Sequence, residues 1–189
     1  MRKTILRFAI LIGIGTTAFA QTPVLDLKLK VADDAGNTLE LRFGLDGSAL
    51  PGLDSTLNEN ELPPFPPSGI FEARFIGDDI GMSELGQGTY QDYRTGDLSY
   101  NGATVHEIKY QPGANGTTIT IDWALPTGVT GVLEDLFGGV VVNHTMSDTG
   151  SYTVSNLAID KLKMTITYNN IMTSVDDLDY IVPVHFELE

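Results

Sequence analysis

The chain has 189 residues, 11 Lys and Arg against 25 Asp and Glu, a formal net charge of −14 and no cysteine. A surface this acidic repels phosphate backbones and anionic membranes, so nucleic-acid binding is excluded. The lack of cysteine removes disulfides, thiolate catalysis and Fe–S clusters, and 42% hydrophobic residues leave stabilisation to the core of one domain.

The first twenty residues stand apart. Arg2, Lys3 and Arg7 precede the apolar run Phe8–Ile14, and Ala18-Phe19-Ala20 places small residues where a signal peptidase needs them. The apolar run is too short to span a bilayer. The expectation is a signal peptide over 1–20, cleavage before Gln21, a secreted or periplasmic product without a transmembrane segment, and a single domain over 21–189. Cleavage removes three of the eleven basic residues, so the exported chain carries 8 − 25 = −17.

Val24–Ala32 alternates, with Leu25, Leu27, Leu29 and Val31 on one face and Asp26, Lys28 and Lys30 on the other, the period of a half-buried strand. Asp33-Asp34-Ala35-Gly36-Asn37 is a turn. Leu39, Leu41, Phe43 and Leu45 then repeat the alternation, which predicts a hairpin. A long acidic loop follows over 46–69, with apolar anchors at Leu45, Leu50, Leu53, Leu57 and Leu62 and a stiff exit at Pro63-Pro64-Phe65-Pro66-Pro67. Loops of this length are uncommon in compact domains unless functional or disordered, and the apolar anchors predict one packed on the body.

Beyond it, Ile70–Ile76 reads as a strand, and 77–103 as glycine-punctuated loop with a short run at Thr89–Arg94. Val105–Tyr110, Thr117–Leu125, Val140–Asn143, Ser151–Leu157, Lys161–Tyr168 and Tyr180–Leu188 read as further strands between Gly, Asn, Pro and Asp turns. Roughly 8–10 short strands without a 3.6-residue pattern predict an all-β, antiparallel sandwich or barrel with little helix outside the signal. Trp123 is in phase with Ile119, Ile121 and Leu125, which favours a core residue over a platform for a sugar.

Asp46, Asp54, Glu59 and Glu61 are the candidate metal ligands, because calcium takes six to eight oxygens from flexible loops. Their spacing is not that of an EF-hand, and a plain solvated loop explains the same letters. Asp176-Asp177-Leu178-Asp179 reads as a charged strand edge. Glu107 and Asp122 alternate against apolar neighbours and are expected to point outward. His106, His144 and His185 lie on separate strands without a G-x-S-x-G context or zinc-like spacing, and each is expected at a strand surface or core edge. No catalytic residue is assigned. Phe65, Tyr90, Tyr93 and Tyr100 are either a binding surface or core beneath the loops.

The run FGLD-x(7)-LD followed by ELPP-x-PP-x-GIFEARF resembles a module of secreted multidomain proteins of the Bacteroidetes–Chlorobi–Ignavibacteria type. So do HEIKYQ (106–111), TTITIDWALPTGVTG (117–131), LEDLFGG (133–139) and GSYTV…KLKMTITY (150–168). The resemblance covers most of residues 38–168 and implies an extracellular Ig-like β-sandwich. Proteins of that type usually end in a type IX secretion sorting domain, and this chain ends at Glu189 without one, as a stand-alone relative or a truncated product. The expectation is a non-catalytic adhesion, assembly or ligand-presenting module with a protein or glycan partner and optional calcium. The alternative is a carbohydrate-binding or hydrolase-accessory module.

Overall fold

The computed structural model describes residues 21–171, and they form two five-stranded β-sheets packed face to face. The strands are β1 (Leu25–Asp33), β2 (Thr38–Asp46), β3 (Glu72–Ile76), β4 (Gln91–Thr95), β5 (Gly102–Gln111), β6 (Ile119–Ala124), β7 (Val129–Glu134), β8 (Asn143–Met146), β9 (Thr149–Val154) and β10 (Lys161–Tyr168). One sheet runs β4-β2-β1-β6-β9 and the other β3-β5-β10-β7-β8. The remaining regular elements are three 3-10 turns of three residues each. No helix among the described residues is long and apolar enough to cross a membrane. The signal segment, Tyr180–Leu188, His185 and the acids 176, 177 and 179 lie outside the described residues.

Alternation builds the core as expected. Leu25, Leu27, Leu29 and Val31 of β1 face Leu162, Met164 and Ile166 of β10 and their neighbours in one buried cluster, with Phe43, Phe75 and Trp123 inside it. Each fully buried aliphatic or aromatic side chain of this kind contributes about 1.5–3 kcal/mol. The predicted hairpin is present, β1 against β2 in register Leu29–Leu41. Asp33 fixes its turn: Oδ1 accepts from the N–H groups of Ala35 and Asn37, and Oδ2 reaches Gly113 N at 2.9 Å, locking this turn to the one after β5.

The two sides of the sandwich close differently. On one side Phe75, in β3, exchanges main-chain hydrogen bonds with Thr89, just before β4. On the other, β8 and β9 belong to different sheets and are joined by Ser147 and Asp148. There the His144 ring lies 5.7 Å from Trp123 and 4.8 Å from Tyr152. Trp123 is a core residue, its indole N–H donating to Ser147 O at 3.3 Å. It lies over Gly150, where a Cβ would come within 2.7 Å of the ring.

Several strand expectations need correction. β4 pairs with β2 in parallel, because residues 47–90 cross to the second sheet, form β3 and return before β4 begins. Val129–Glu134 is a strand that the sequence reading missed. Its central Gly131 interrupts the pattern, and a Cβ there would crowd Ile166 Cδ1 at 2.8 Å and Thr165 O at 3.1 Å. Val140–Asn143 is not a strand: β8 starts at Asn143, and Val140 is 81% exposed. Glu107 and His106 are fully buried rather than outward or at the core edge.

Candidate functional site

The four candidate metal ligands sit along the acidic loop, each engaged locally. Asp46 closes β2, accepting from Ser48 N (2.8 Å), Ser48 Oγ (2.7 Å) and Val24 N (3.2 Å). Burial raises its pKa, but these donors outweigh burial and hold it below the usual carboxylate value. Asp54 caps the turn Ser55–Leu57, accepting from Thr56 N at 2.9 Å and Thr56 Oγ1 at 2.6 Å. Glu61 accepts from Gln87 N at 3.0 Å. Glu59 is buried, with Oε2 on Asp54 N (2.8 Å) and Oε1 on Tyr93 N (2.5 Å), which fastens the loop to the free side of β4. Burial pushes Glu59 up to about 7, with the charge of Asp92 adding to it, against the pull of the two N–H donors. Asp54 and Glu59 are thus brought together through the Asp54 backbone, while Asp46 and Glu61 serve other partners. No group of three or more Asp, Glu or His side chains arranged to hold a metal occurs among the described residues.

The proline exit is packed on the body; of the expected loop anchors Leu57 is buried and Leu53 and Leu62 half-buried, but Leu50 is 58% exposed and anchors nothing. Arg74 is 2% exposed; its Nη1 donates to Pro63 O at 2.6 Å and Gln87 O at 3.0 Å, and its Nη2 pairs with Glu72 at 3.1 Å. The Phe65 ring covers both Arg74 (5.0 Å) and Lys109 Nζ (4.4 Å), a cation–π arrangement. Gln111 Nε2 donates to the carbonyls of Pro66, Pro67 and Ile70. Of the four candidate aromatics, Tyr93 is buried, Tyr90 and Tyr100 pack against the core, and Phe65 clamps this segment.

Between the loop and the outer face of β1 and β2 lies a cleft of about 230 Å³, lined by Gln21, Asp26, Arg42, Asn58, Gln91 and Tyr93 among others. Arg42 forms an ion pair with Asp26, and Tyr93 donates from its hydroxyl to the same carboxylate at 3.0 Å. Asp26 holds the guanidinium further above its usual value, and burial raises the Tyr93 phenol. Both groups keep their protons at neutral pH, so this cleft offers hydrogen bonds rather than acid–base chemistry. It is smaller than the roughly 300 Å³ at which small-molecule pockets begin.

A second constellation lies between the sheets. Asp92 Oδ2 meets His106 Nδ1 at 2.6 Å, and His106 Nε2 meets Thr104 Oγ1 at 3.0 Å. This is the order acid, base, hydroxyl of a nucleophilic relay. Burial defeats that use: Asp92 and His106 are 0% exposed and Thr104 7%. The threonine hydroxyl is shared with the buried Tyr168, 3.4 Å away. Phe43 and Phe75 pack on the imidazole at 5.7 and 5.6 Å, and Arg94 grips Asp92 at 2.8 and 2.9 Å. The group ties β4 of one sheet to β5 of the other. Its sequence signal was two i, i+2 pairs, Asp92 with Arg94 and Thr104 with His106, which alternation places on single faces. Glu107 is also spent structurally, accepting from Asp79 N at 2.9 Å with Lys161 Nζ 3.5 Å away.

The loop between β7 and β8 is the most exposed apolar feature. Phe137 is 74%, Val140 81% and Val141 54% exposed. Beneath them the buried Asp135 carboxylate accepts from Phe137 N (2.8 Å), Val141 N (2.6 Å) and Val142 N (2.7 Å). Those donors, Val142 foremost, keep its pKa below the usual value. Gly138 and Gly139, at φ of 81° and 73°, make the reversal that only glycine adopts easily. The apolar side chains therefore stand on a backbone fixed from below. Part of this run has the letters of a strand, because apolar letters alone do not show that a carboxylate has claimed the N–H groups.

Fold and site together define an all-β sandwich with a sealed polar core, one clamped acidic loop and one anchored apolar loop. Compared with protein-family models, curated proteins and solved structures, the chain matches none.

Proposed function

We propose that this chain is a secreted, non-catalytic module of Ig-like type that acts in adhesion or assembly, presenting the β7–β8 loop to a macromolecular partner. The observation that supports it is the loop itself: three apolar side chains held in solvent by the Asp135 hydrogen bonds. Exposed apolar clusters of this kind mark interaction sites, and a loop ordered before binding loses little entropy on contact. The resemblance of residues 43–75 and 106–168 to modules of secreted surface proteins points the same way. Export is supported by the signal-like residues 1–20 and by Gln21. As the first residue after cleavage, it is already tied to the fold through Thr56 O at 2.9 Å. Beads coated with the exported chain are expected to adhere to cells of the source organism. Phe137→Ser with Val140→Ser should cut retention at least tenfold without altering the melting temperature. Equal retention would remove the loop from the function.

The polar cleft at Asp26 and Arg42 favours carbohydrate binding as a second reading, since it offers planar hydrogen-bonding groups and fixed protonation. Titration with polysaccharide, followed by tyrosine fluorescence, should respond in the wild type and not in Arg42→Ala if sugars bind there.

A further inference from the structure

We propose that two copies of this chain join edge to edge through β9, making one continuous sheet of ten strands. This stands on a different element from the apolar loop and does not depend on it.

The outward groups of β9 follow from its register. Leu125 N donates to Asp148 O at 2.7 Å, so that pair is hydrogen-bonded, and antiparallel pairing alternates bonded and non-bonded pairs. Gly150, Tyr152 and Val154 therefore spend their main-chain groups on Trp123, Ile121 and Ile119 of β6. Thr149, Ser151 and Thr153 turn theirs the other way, and no described group meets them. All three side chains are exposed.

The other edges among the described residues are covered or short. β4 gives Tyr93 N to Glu59, β3 is bridged at Phe75 by Thr89, and β8 has four residues. β9 carries none of the devices that blunt an edge. Its sequence, TGSYTV, has no charge and no proline, although the exported chain bears −17. A row of unpaired N–H and C=O groups of this kind is a template for another strand.

The occupant that fits is the same strand, run antiparallel about a two-fold axis at Ser151. Ser151 then faces Ser151 of the other copy, and Thr149 faces Thr153. All three outward residues become bonded pairs, giving about six main-chain hydrogen bonds. Cross-strand Thr and Ser hydroxyls pair favourably, as Thr120 and Thr153 already do at 2.9 Å. Of the nearby acids, Asp148 goes to opposite ends of the seam, and Asp122, across from Ser151 on β6, stays one strand behind the seam in each copy with Lys30 Nζ 3.9 Å away. Such an interface is isologous and closes at two copies.

Sedimentation of the full exported chain over a range of concentrations should show a monomer–dimer equilibrium. It should tighten as salt screens the −17 charges. Ser151→Pro removes an outward N–H without touching the β6 ladder and should weaken dimerisation at least tenfold, with the circular dichroism spectrum and melting temperature retained. Ser151→Cys, in a chain with no other cysteine, should form a covalent dimer on oxidation. The facing Cα atoms would be about 5.5 Å apart, within disulfide reach. Phe137→Ser should leave the dimer intact, so failure of the loop proposal and of this one are told apart. A monomer at every concentration, or dimers that Ser151→Pro leaves unchanged, would overturn it. So would a monomer whose Thr149, Ser151 and Thr153 amides resist hydrogen exchange, since the edge would then be filled from within the chain.

Discussion

His106 and Asp92 meet at 2.6 Å between the two sheets, both fully shut off from solvent. One comes from β5 and the other from β4, so a charge-assisted hydrogen bond spans the sandwich at the end of a parallel strand pair, beside that of Arg94 Nη2 to Val105 O at 3.0 Å. Removing one partner of a buried pair leaves the other uncompensated, at a cost of about 3–5 kcal/mol. Asp92→Ala strands both His106 and Arg94, and should lower unfolding free energy by about that amount in a urea titration. A loss under about 1 kcal/mol, the scale of an exposed ion pair, would show that β4 is held by other contacts.

The same region sets the pH dependence. Burial holds His106 below its ordinary 6.5, outweighing the attraction of Asp92. The unfolded chain therefore takes up a proton below pH 6.5 that the folded chain refuses. That contribution is full above 6.5 and drains away as pH falls. Glu59 runs the other way. Folded, it keeps to about 7 a proton that the unfolded chain releases near 4.5, so its contribution is full below 4.5 and is lost as pH rises towards 7. The two slopes oppose each other between 4.5 and 6.5, each at most about 1.4 kcal/mol per pH unit. Wild-type melting temperature should be nearly flat from pH 5 to 6.5. Glu59→Gln should be less stable throughout, because an amide N–H meets a backbone donor. Relative to wild type its melting temperature should fall on acidification across the same window, since Glu107, also raised by burial, is common to both proteins, and a profile parallel to that of wild type would contradict the opposition.

The loop clamp makes a proteolytic prediction. Among the described residues Arg74 is the only group that touches both Pro63 O and Gln87 O, and it also lies under Phe65. Arg74→Ala removes all of these and leaves Glu72 unpaired in a buried site, so cutting within residues 58–67 should accelerate at least tenfold. Pro64→Gly with Pro66→Gly should accelerate it less, since the anchors remain and only the unfolded loop gains freedom. Limited proteolysis read by mass spectrometry decides between them.

What was legible in the sequence divides along physical lines. Strands with one face in the core announce themselves by period two, and β1, β2, β5, β6 and β10 were readable for that reason. β7 was not, because Gly131 breaks its pattern to admit Ile166. The packed loop was legible from Leu57, which is buried, but not from Leu50, an equally apolar letter that stands 58% exposed. What each acid does was not. Asp46, Asp54, Glu59, Glu61 and Asp135 are alike as letters, and only tertiary placement shows which N–H groups each accepts. Glu107 and His106 misled alternation because both lie on β5 with buried faces on either side, where neighbours such as Asp79, Lys161 and Asp92 satisfy them.

Calcium gives the last prediction. A hard cation needs six to eight oxygens converging within about 2.6 Å. Asp46 gives its oxygens to Ser48, Val24 and Gln21, Asp54 gives one to Thr56, and Glu59 gives both to backbone N–H groups of Asp54 and Tyr93. Bringing them onto one ion would leave those N–H groups unpaired, each at about 1–3 kcal/mol when buried. It would also release the Glu59 fastening on β4. Cation binding to the folded state would add about 2.7 kcal/mol at a hundredfold excess over the dissociation constant, comparable to one or two of the hydrogen bonds given up. A chain of residues 21–189 should therefore melt at the same temperature in EDTA, in millimolar calcium and in millimolar magnesium. A rise with calcium alone, abolished by Asp54→Asn, would mean that the acidic loop rearranges around an ion and that Tyr93 N finds another acceptor.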